Sequence, residues 1–569
     1  MFSVSLAASD GLRLDTNAVD YAVIALYFVF VLGIGLAARR AVSSSLDFFL
    51  SGRSLPAWVT GLAFISANLG AVEIIGMSAN GAKYGIPTVH YFWIGAVPAM
   101  LFLAIVMMPF YYGSKVRSVP EFMLRRFGPT AHLVNAISFA VAQLLIAGVN
   151  LYLLAKIVEI ILGWQLWVSL IAAALVVLAY TTAGGLSAAI YNEVLQFFVI
   201  VAALTPLTII GLNRVGGYSG LKERIAGSPD GAAQLSSWPG TNLTEITSPF
   251  LSVLGIVLGL GFVLSFGYWT TNFVEVQRAM ASKSISAAQR APIIGSFPKM
   301  FIPFIVILPG MIAGVLVAPV AAAKADPSSD FDYNNSLIYL IRDLLPNGML
   351  GLAVAGLLAS FMAGMAANIS AFNTVFSYDL WQSYVVKDRE DGYYLSVGRW
   401  ATVAATVVAI GTAIFASSYS NVMDYLQTLF GFFNAPLFAT FILGMFWKRM
   451  TATAGWTGLV SGTLAAVVVA VLGTDVLGPL SLGVIGLSGQ GASFVAAGTA
   501  FAVDILVSVV VTLVTQPRPE SELRGLVYSL TPKSDFHDDS EGVLAWYQKP
   551  NVLAGIGLAV VVVLNIVFW

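Results

Sequence analysis

Cysteine is absent from this 569-residue sequence, and histidine occurs three times, as His90, His132 and His537. The first absence excludes disulfides, thiolate zinc sites and iron–sulfur clusters. The second argues against a haem protein of the membrane, which needs paired axial histidines deep in its helices. Charge is also scarce, at 10% of residues, where soluble domains carry about 25%. With a net charge of −1 there is no basic stripe to neutralise phosphates, so nucleic acid is not expected as a partner. The opening MFSVSLAASDGLRLDTN has no basic region leading into an apolar run, so no cleaved signal peptide is expected. No P-loop, metal cluster or loop-borne Ser/His/Asp arrangement is present. Gly184-Gly185 and the glycines of LGIVLGLGF lie in or beside apolar runs, where helix packing or breaking accounts for them. Neither an enzyme with an organic cofactor nor a nucleotide-driven pump is indicated.

Apolar length is what the sequence has in quantity. It is 58% hydrophobic with a mean hydropathy of +0.85, too little polar surface for a chain of this size in water. A helix needs roughly 20 apolar residues to cross the hydrocarbon core. About fourteen runs approach that length: 18–39, 56–78, 88–110, 132–162, 165–182, 190–213, 246–275, 295–320, 348–378, 400–417, 421–447, 452–473, 492–516 and 551–568. The expected fold class is therefore an all-α integral membrane protein, multi-pass, with the lipid bilayer as its surroundings. With residues 1–17 placed outside and the runs alternating, nineteen Lys and Arg fall inside and seven outside. The positive-inside rule then puts both termini outside a cytoplasmic (inner) cell membrane. Among the longer connections, SSDFDYNNSLIYLIRDLLP has the apolar spacing of a short surface helix.

Two runs are not ordinary spans. The second, LAFISANLGAVEIIGMSANG, holds Asn68, Gly70, Glu73 and Gly76; the seventh holds four glycines and then Tyr268, Trp269, Thr270, Thr271 and Asn272. Polar, glycine-rich helices that unwind within the membrane free backbone groups for a ligand. Two of them five spans apart point to an inverted-repeat transporter; close helix packing is the plainer alternative. A charge at the bilayer centre costs about 2.5–3.5 kcal/mol, and Glu73 and Lys299 both lie inside their spans. Glu193 and Glu275 sit nearer the inner ends. Lys156 and Glu159, three residues apart, are expected to pair with each other, and Asp504 reads as interfacial or helix-packing.

The second span followed by NGAKYGIPTVHYFW, the segments VRSVPEFMLRRF and TTAGGLSAAIYNEVLQFF, the string VEVQRAMASKSISAAQRA and the ending FILGMFWKR resemble the sodium/solute symporter family, in its bacterial sodium/galactose (sodium/glucose-type) branch. The resemblance implies a leucine-transporter-like core of two inverted five-helix repeats. It divides the chain into an external segment 1–17, an extra helix and loop 18–55, a first repeat 56–213, an external loop 214–245, a second repeat 246–447, two peripheral helices 448–516, a cytoplasmic linker 517–550 and a final helix 551–569. It also implies a sodium ion between the first and eighth core helices, at carbonyls corresponding to Ser66, Leu69 and Ser360. Two serine hydroxyls of that site align with Ala363 and Gly364, a loss of two oxygens for a cation that prefers hard oxygen donors; either Ser360, Asn368, Ser370 or Thr374 substitutes from a shifted register, or the site is weakened relative to the family, or another ion drives transport. An aspartate near the sodium path corresponds to Glu193, expected to act in coupling.

For the solute, the resemblance keeps Met77, Lys299, Gln427 and an inner aromatic gate at Tyr268. It replaces a sugar-binding glutamate with Phe92, beside Tyr91 and Trp93, an asparagine with Ser265, and a glutamine with Glu73. Trp269 completes the expected aromatic surface. Facing Lys299, Glu73 is expected to pair with it when the cavity is empty; lacking a partner, a buried carboxylate takes up a proton. Three readings stay open: sodium-coupled uptake of a small solute by alternating access, with a sugar or polyol ranked before a small organic acid or amino compound; proton-coupled uptake through Glu73; or a membrane solute sensor that does not transport.

Overall fold

The computed structural model of the chain describes all residues except 1–11, 40–44, 114–115, 117, 229–230, 327–328, 330, 418–421, 474–480 and 533–544. Most of segment 1–17, the middle of linker 517–550, His537 and four of the counted cations (Arg40, Lys115, Arg117 and Lys533) lie outside the described residues.

Lipid offers backbone amides no partners, so segments of this hydropathy satisfy them internally as helices. Among the described residues the chain is helical, apart from one isolated bridge between Leu55 and Ser282. The spans are α1 (Ala18–Ala37), α2 in two halves (Ala57–Asn68 and Val72–Tyr84), α3 (Ile86–Tyr112), α4 (Pro129–Leu162), α5 (Leu166–Ala179), α6 (Leu186–Val215) and α7 (Pro249–Thr271). They continue with α8 (Ile285–Leu316), α9 (Met349–Val385), α10 (Asp391–Ala416), α11 (Val422–Phe446), α12 (Ala452–Leu472), α13 (Gly489–Val514) and α14 (Pro550–Val567). Twelve of these are long and apolar enough to cross, and bent α2 makes a thirteenth if its halves form one span. Among the described residues α5 is a shorter apolar stretch. It belongs to one helical run of 50 residues, Leu166–Val215, that also contains α6. The region 214–245 is not plain loop: it folds into helices Gly217–Ala226, Gly231–Leu235 and Thr241–Thr244. The amphipathic segment near 336 forms a helix, Ser336–Leu344, which buries Leu337, Ile338, Leu340 and Ile341.

Both unusual spans are interrupted, at different kinds of break. The halves of α2 meet at 58°, around Leu69 and Gly70. Side chains from two other helices satisfy the backbone groups this frees. Asn150 of α4 accepts from the Ala71 N–H at 3.1 Å, and the Ser360 hydroxyl of α9 donates to the Leu69 carbonyl at 2.6 Å. In α7 the glycine run stays wound, as a wide π-type turn over Gly255–Ser265. The chain breaks later, at Asn272, whose backbone is extended and whose side chain caps the next helix, Phe273–Met280. Glycine permits the wider winding, but the polar residues beyond it terminate the helix.

Packing sorts the spans into two groups. Helices α2, α3 and α8 contact one another, with α7 packed on α3, and α4, α9 and α10 form a second set of contacts. A cavity lies between them. Around it, the expected pairing of Lys156 with Glu159 does not form. Lys156 instead bonds Asp332 at 2.6 Å, tying α4 to the connection before α9. Asp504 is fully buried rather than interfacial; it accepts from Thr440 at 2.7 Å and from Ser508 at 2.9 Å, joining α11 to α13.

Candidate functional site

The cavity is walled by the break in α2, by α3, α7 and α8, by α4 and α9 from the other group, and by α11. It leaves about 90 Å³ for the centres of water molecules, several times the ~10–15 Å³ that a single water needs. That is more space than an ion alone needs, and less than the ~300–1,000 Å³ of an open small-molecule site.

Its two charged lining residues meet. Lys299 of α8 donates to Glu73 of α2 at 2.6 Å, with both side chains nearly out of solvent. Two prolines, Pro292 and Pro298, lie inside the helix that presents Lys299. The ammonium also sits over two rings, 4.8 Å from the centroid of Phe92 and 5.2 Å from that of Trp269, where the ring quadrupole attracts a cation. It donates further to Asn68, at the end of the first half of α2. From there the chain of hydrogen bonds runs on. Asn68 donates to the Tyr268 hydroxyl at 3.1 Å, and Tyr268 donates to Glu275 at 2.9 Å. Glu275 is buried, and its other oxygen has no partner among the described residues. The polar lining of the cavity is thereby joined to the segment beyond the α7 break, through the aromatic residue expected as the inner gate.

Of the residues expected at the solute site, Glu73, Met77, Tyr91, Ser265, Tyr268, Trp269, Lys299 and Gln427 line this one cavity. Phe92 lies beneath Lys299 rather than on the wall. Trp93 does not line this cavity. Its indole donates to the Met300 carbonyl at 2.9 Å, and its ring packs on Phe304 and Phe568, away from the cavity. Tyr91–Ala96 winds as a wide π-type turn, in which successive side chains still point in different directions, so three consecutive aromatics cannot share one face. Sequence reasoning did not place Asn150, Asn272 or Phe430 on the wall, and it offered Asn368 only as a substitute sodium ligand, although all four line the cavity. The signal for Asn150 was a lone amide inside the apolar run LLIAGVNLYLL.

At the α2–α9 crossing, Leu69 and Ser360 are hydrogen-bonded to each other as above, and the Ser66 hydroxyl is buried with no partner. Ala363 is fully buried, and Gly364 lines the cavity. The lost serine at 364 has a steric cause. A Cβ on Gly364 would stand 2.6 Å from Asn150 Oδ1 and 3.1 Å from the Cα of Gly70. Asn150 occupies that space and cannot swing away freely, because its amide bonds Ala71 and Ile146.

Glu193 of α6 is closed off. Arg278 takes both of its oxygens, at 2.6 and 3.2 Å, with both side chains buried. This is a bidentate, charge-assisted pair that fixes Phe273–Met280 to α6. Glu193→Gln is expected to lower the melting temperature, since a hydrogen bond to a charged group contributes about 1.5–3 kcal/mol, while the sodium concentration for half-maximal uptake stays unchanged. An altered sodium requirement without loss of stability would instead assign Glu193 to coupling.

With this geometry in view, the comparisons are decisive. Residues 48–462 match the sodium:solute symporter family. The chain belongs to that family. It is therefore a multi-pass membrane transporter and not an enzyme. A sodium/glucose cotransporter of Vibrio parahaemolyticus is 28% identical over 463 residues, covering 78% of this chain and 83% of that protein. A sodium/myo-inositol cotransporter 2 of Oryctolagus cuniculus is 30% identical over 473 residues, covering 78% and 68%. Among solved structures, a Na+-coupled sialic acid symporter superposes with a TM-score of 0.74 at 18% identity, covering 88% of this chain and 99% of that one. At that identity the likeness shows the fold, which is of the leucine-transporter type.

Proposed function

We propose that this symporter moves a neutral polyhydroxy solute, a sugar or cyclic polyol, together with sodium, by alternating access across the cytoplasmic membrane with both termini outside. The observation that carries the solute class is the 2.6 Å pair of Glu73 and Lys299. The two charges cancel, so the cavity offers no unpaired cation to a carboxylate and no unpaired anion to an amine. It offers donors and acceptors on Glu73, Lys299, Asn68, Ser265 and Gln427, beside Trp269 as an apolar platform. Few polar groups on an apolar wall suit a sugar ring. The glucose and inositol specificities of the relatives above agree with this reading.

Sodium would be held where the break in α2 faces α9. The donor set there fits a hard cation: the backbone oxygens of Ser66, Leu69 and Ser360, the unpartnered hydroxyl of Ser66 and the Ser360 hydroxyl. Asn150 Oδ1 stands in the space that a serine at 364 would need, and it supplies one of the two missing oxygens. Binding there favours whichever conformation completes the shell, and coupling follows from the unequal affinity of the two states.

Solute counterflow in proteoliposomes tests the solute class. Radiolabelled hexoses and inositols are expected to exchange, and a panel of monocarboxylates and amines is expected neither to exchange nor to compete. Exchange of a charged solute in preference would overturn the neutral-cavity argument, and binding without any exchange would identify a sensor.

A further inference from the structure

Trp93, absent from the solute cavity, walls a second space. A groove of about 780 Å³ lies between α3, α14 and the stretch containing Trp238, Pro239 and Pro249. That volume is within the range of small-molecule sites. Its outer rim faces hydrocarbon, because Leu558, Val562 and Ile566 of α14 line it while remaining exposed among the spans. At the end of α14 stand Trp238 and Trp569, with ring centroids 6.2 Å apart. Tryptophan pairs of this kind mark the depth of the membrane–water interface.

One polar side chain breaks the apolar lining. Asn565 donates to the Val561 carbonyl at 3.0 Å, and its Oδ1 is buried with no partner among the described residues. An unpaired acceptor in an apolar wall is costly, and a ligand carrying an N–H or O–H donor removes that cost. Water is a poor candidate, because it needs several polar partners and the lining offers few.

We infer that the groove binds one membrane phospholipid, whose headgroup ammonium or hydroxyl donates to Asn565 once the side chain turns its buried Oδ1 toward the groove, while an acyl chain lies along α3 and α14. The site communicates with the solute cavity by direct contact. Trp93 holds the Met300 carbonyl, the residue after Lys299, and the preceding residue, Phe92, carries the Lys299 ammonium on its face. A lipid against Trp93 therefore braces the α3–α8 contact that positions Lys299. This inference is independent of the solute and of the coupling ion.

Native mass spectrometry of the purified full chain, with phosphatidylethanolamine, phosphatidylglycerol and phosphatidylcholine of identical acyl chains, tests it. Expected is one retained lipid, with the ethanolamine or glycerol headgroup held several-fold better than choline, which has no donor; which of the first two is held better identifies the donor. Asn565→Leu is expected to abolish the headgroup preference while still retaining lipid, and Val562→Trp to reduce retention of all three. Equal retention of the three lipids by the unmodified protein, or a preference that survives Asn565→Leu, would overturn the proposal.

Discussion

Replacing Lys299 with methionine is expected to reduce solute uptake by at least about 100-fold and to destabilise the folded protein. Removing one partner of a buried ion pair costs about 3–5 kcal/mol, because the other charge is left buried and unpaired. Here the residue left behind is Glu73, and Asn68 loses its ammonium partner as well. Solute hydroxyls would meet a bare carboxylate. Combining Lys299→Met with Glu73→Gln removes the stranded charge, so the double variant is expected to recover most of the lost melting temperature but little of the uptake. That split separates a pair that binds solute from one that merely joins α2 to α8. Were the double variant to regain full uptake, the pair would be structural only.

The second large effect concerns Gly364. Gly364→Ser restores the residue that the resemblance leads one to expect, yet it is expected to impair the protein. The new Cβ would stand 2.6 Å from Asn150 Oδ1, and displacing Asn150 would strand the Ala71 N–H at the α2 break. Overpacking costs about 1–3 kcal/mol, and an unsatisfied buried donor about 1–3 kcal/mol more. Asn150→Ala alone is expected to weaken sodium binding by removing an oxygen. The double variant, with serine at 364 and alanine at 150, loses the clash with Asn150 and regains an oxygen, so it should bind sodium better than either single change, while the unpartnered Ala71 N–H and the 3.1 Å approach to Gly70 keep it less stable than the unmodified protein. Positions in contact are expected to be this non-additive. Binding of radioactive sodium, together with sodium titration of uptake, measures it. Additive losses in the double variant would show that Asn150 has no part in holding the cation.

Hydropathy alone made the spans legible, because lipid imposes the same demand on every crossing. Glycine and polar content marked α2 and α7 as interrupted, but not where α7 breaks. The glycines widen the helix, and Asn272 ends it. Glu73 and Lys299 could be singled out because each is costly on its own. Their partners could not be read with the same ease, since pairing depends on tertiary contact. Arg278 lies 85 positions from Glu193 in the chain, and nothing local announces that it fills the carboxylate. Arg126 makes the same point. Counted as a cytoplasmic loop cation, it is buried and donates to the carbonyls of Gly444, Trp447 and Met450 at the end of α11. Asn150 was hidden for another reason. A lone amide in an apolar helix reads as a packing residue until the glycines facing it are seen.

Uptake of a radiolabelled hexose or inositol into proteoliposomes, under an imposed sodium gradient or an imposed proton gradient, tests the central claim most directly. The account predicts accumulation driven by the sodium gradient, and none driven by the proton gradient alone. Accumulation under the proton gradient without sodium, lost in Glu73→Gln, would contradict it and make Glu73 the coupling group.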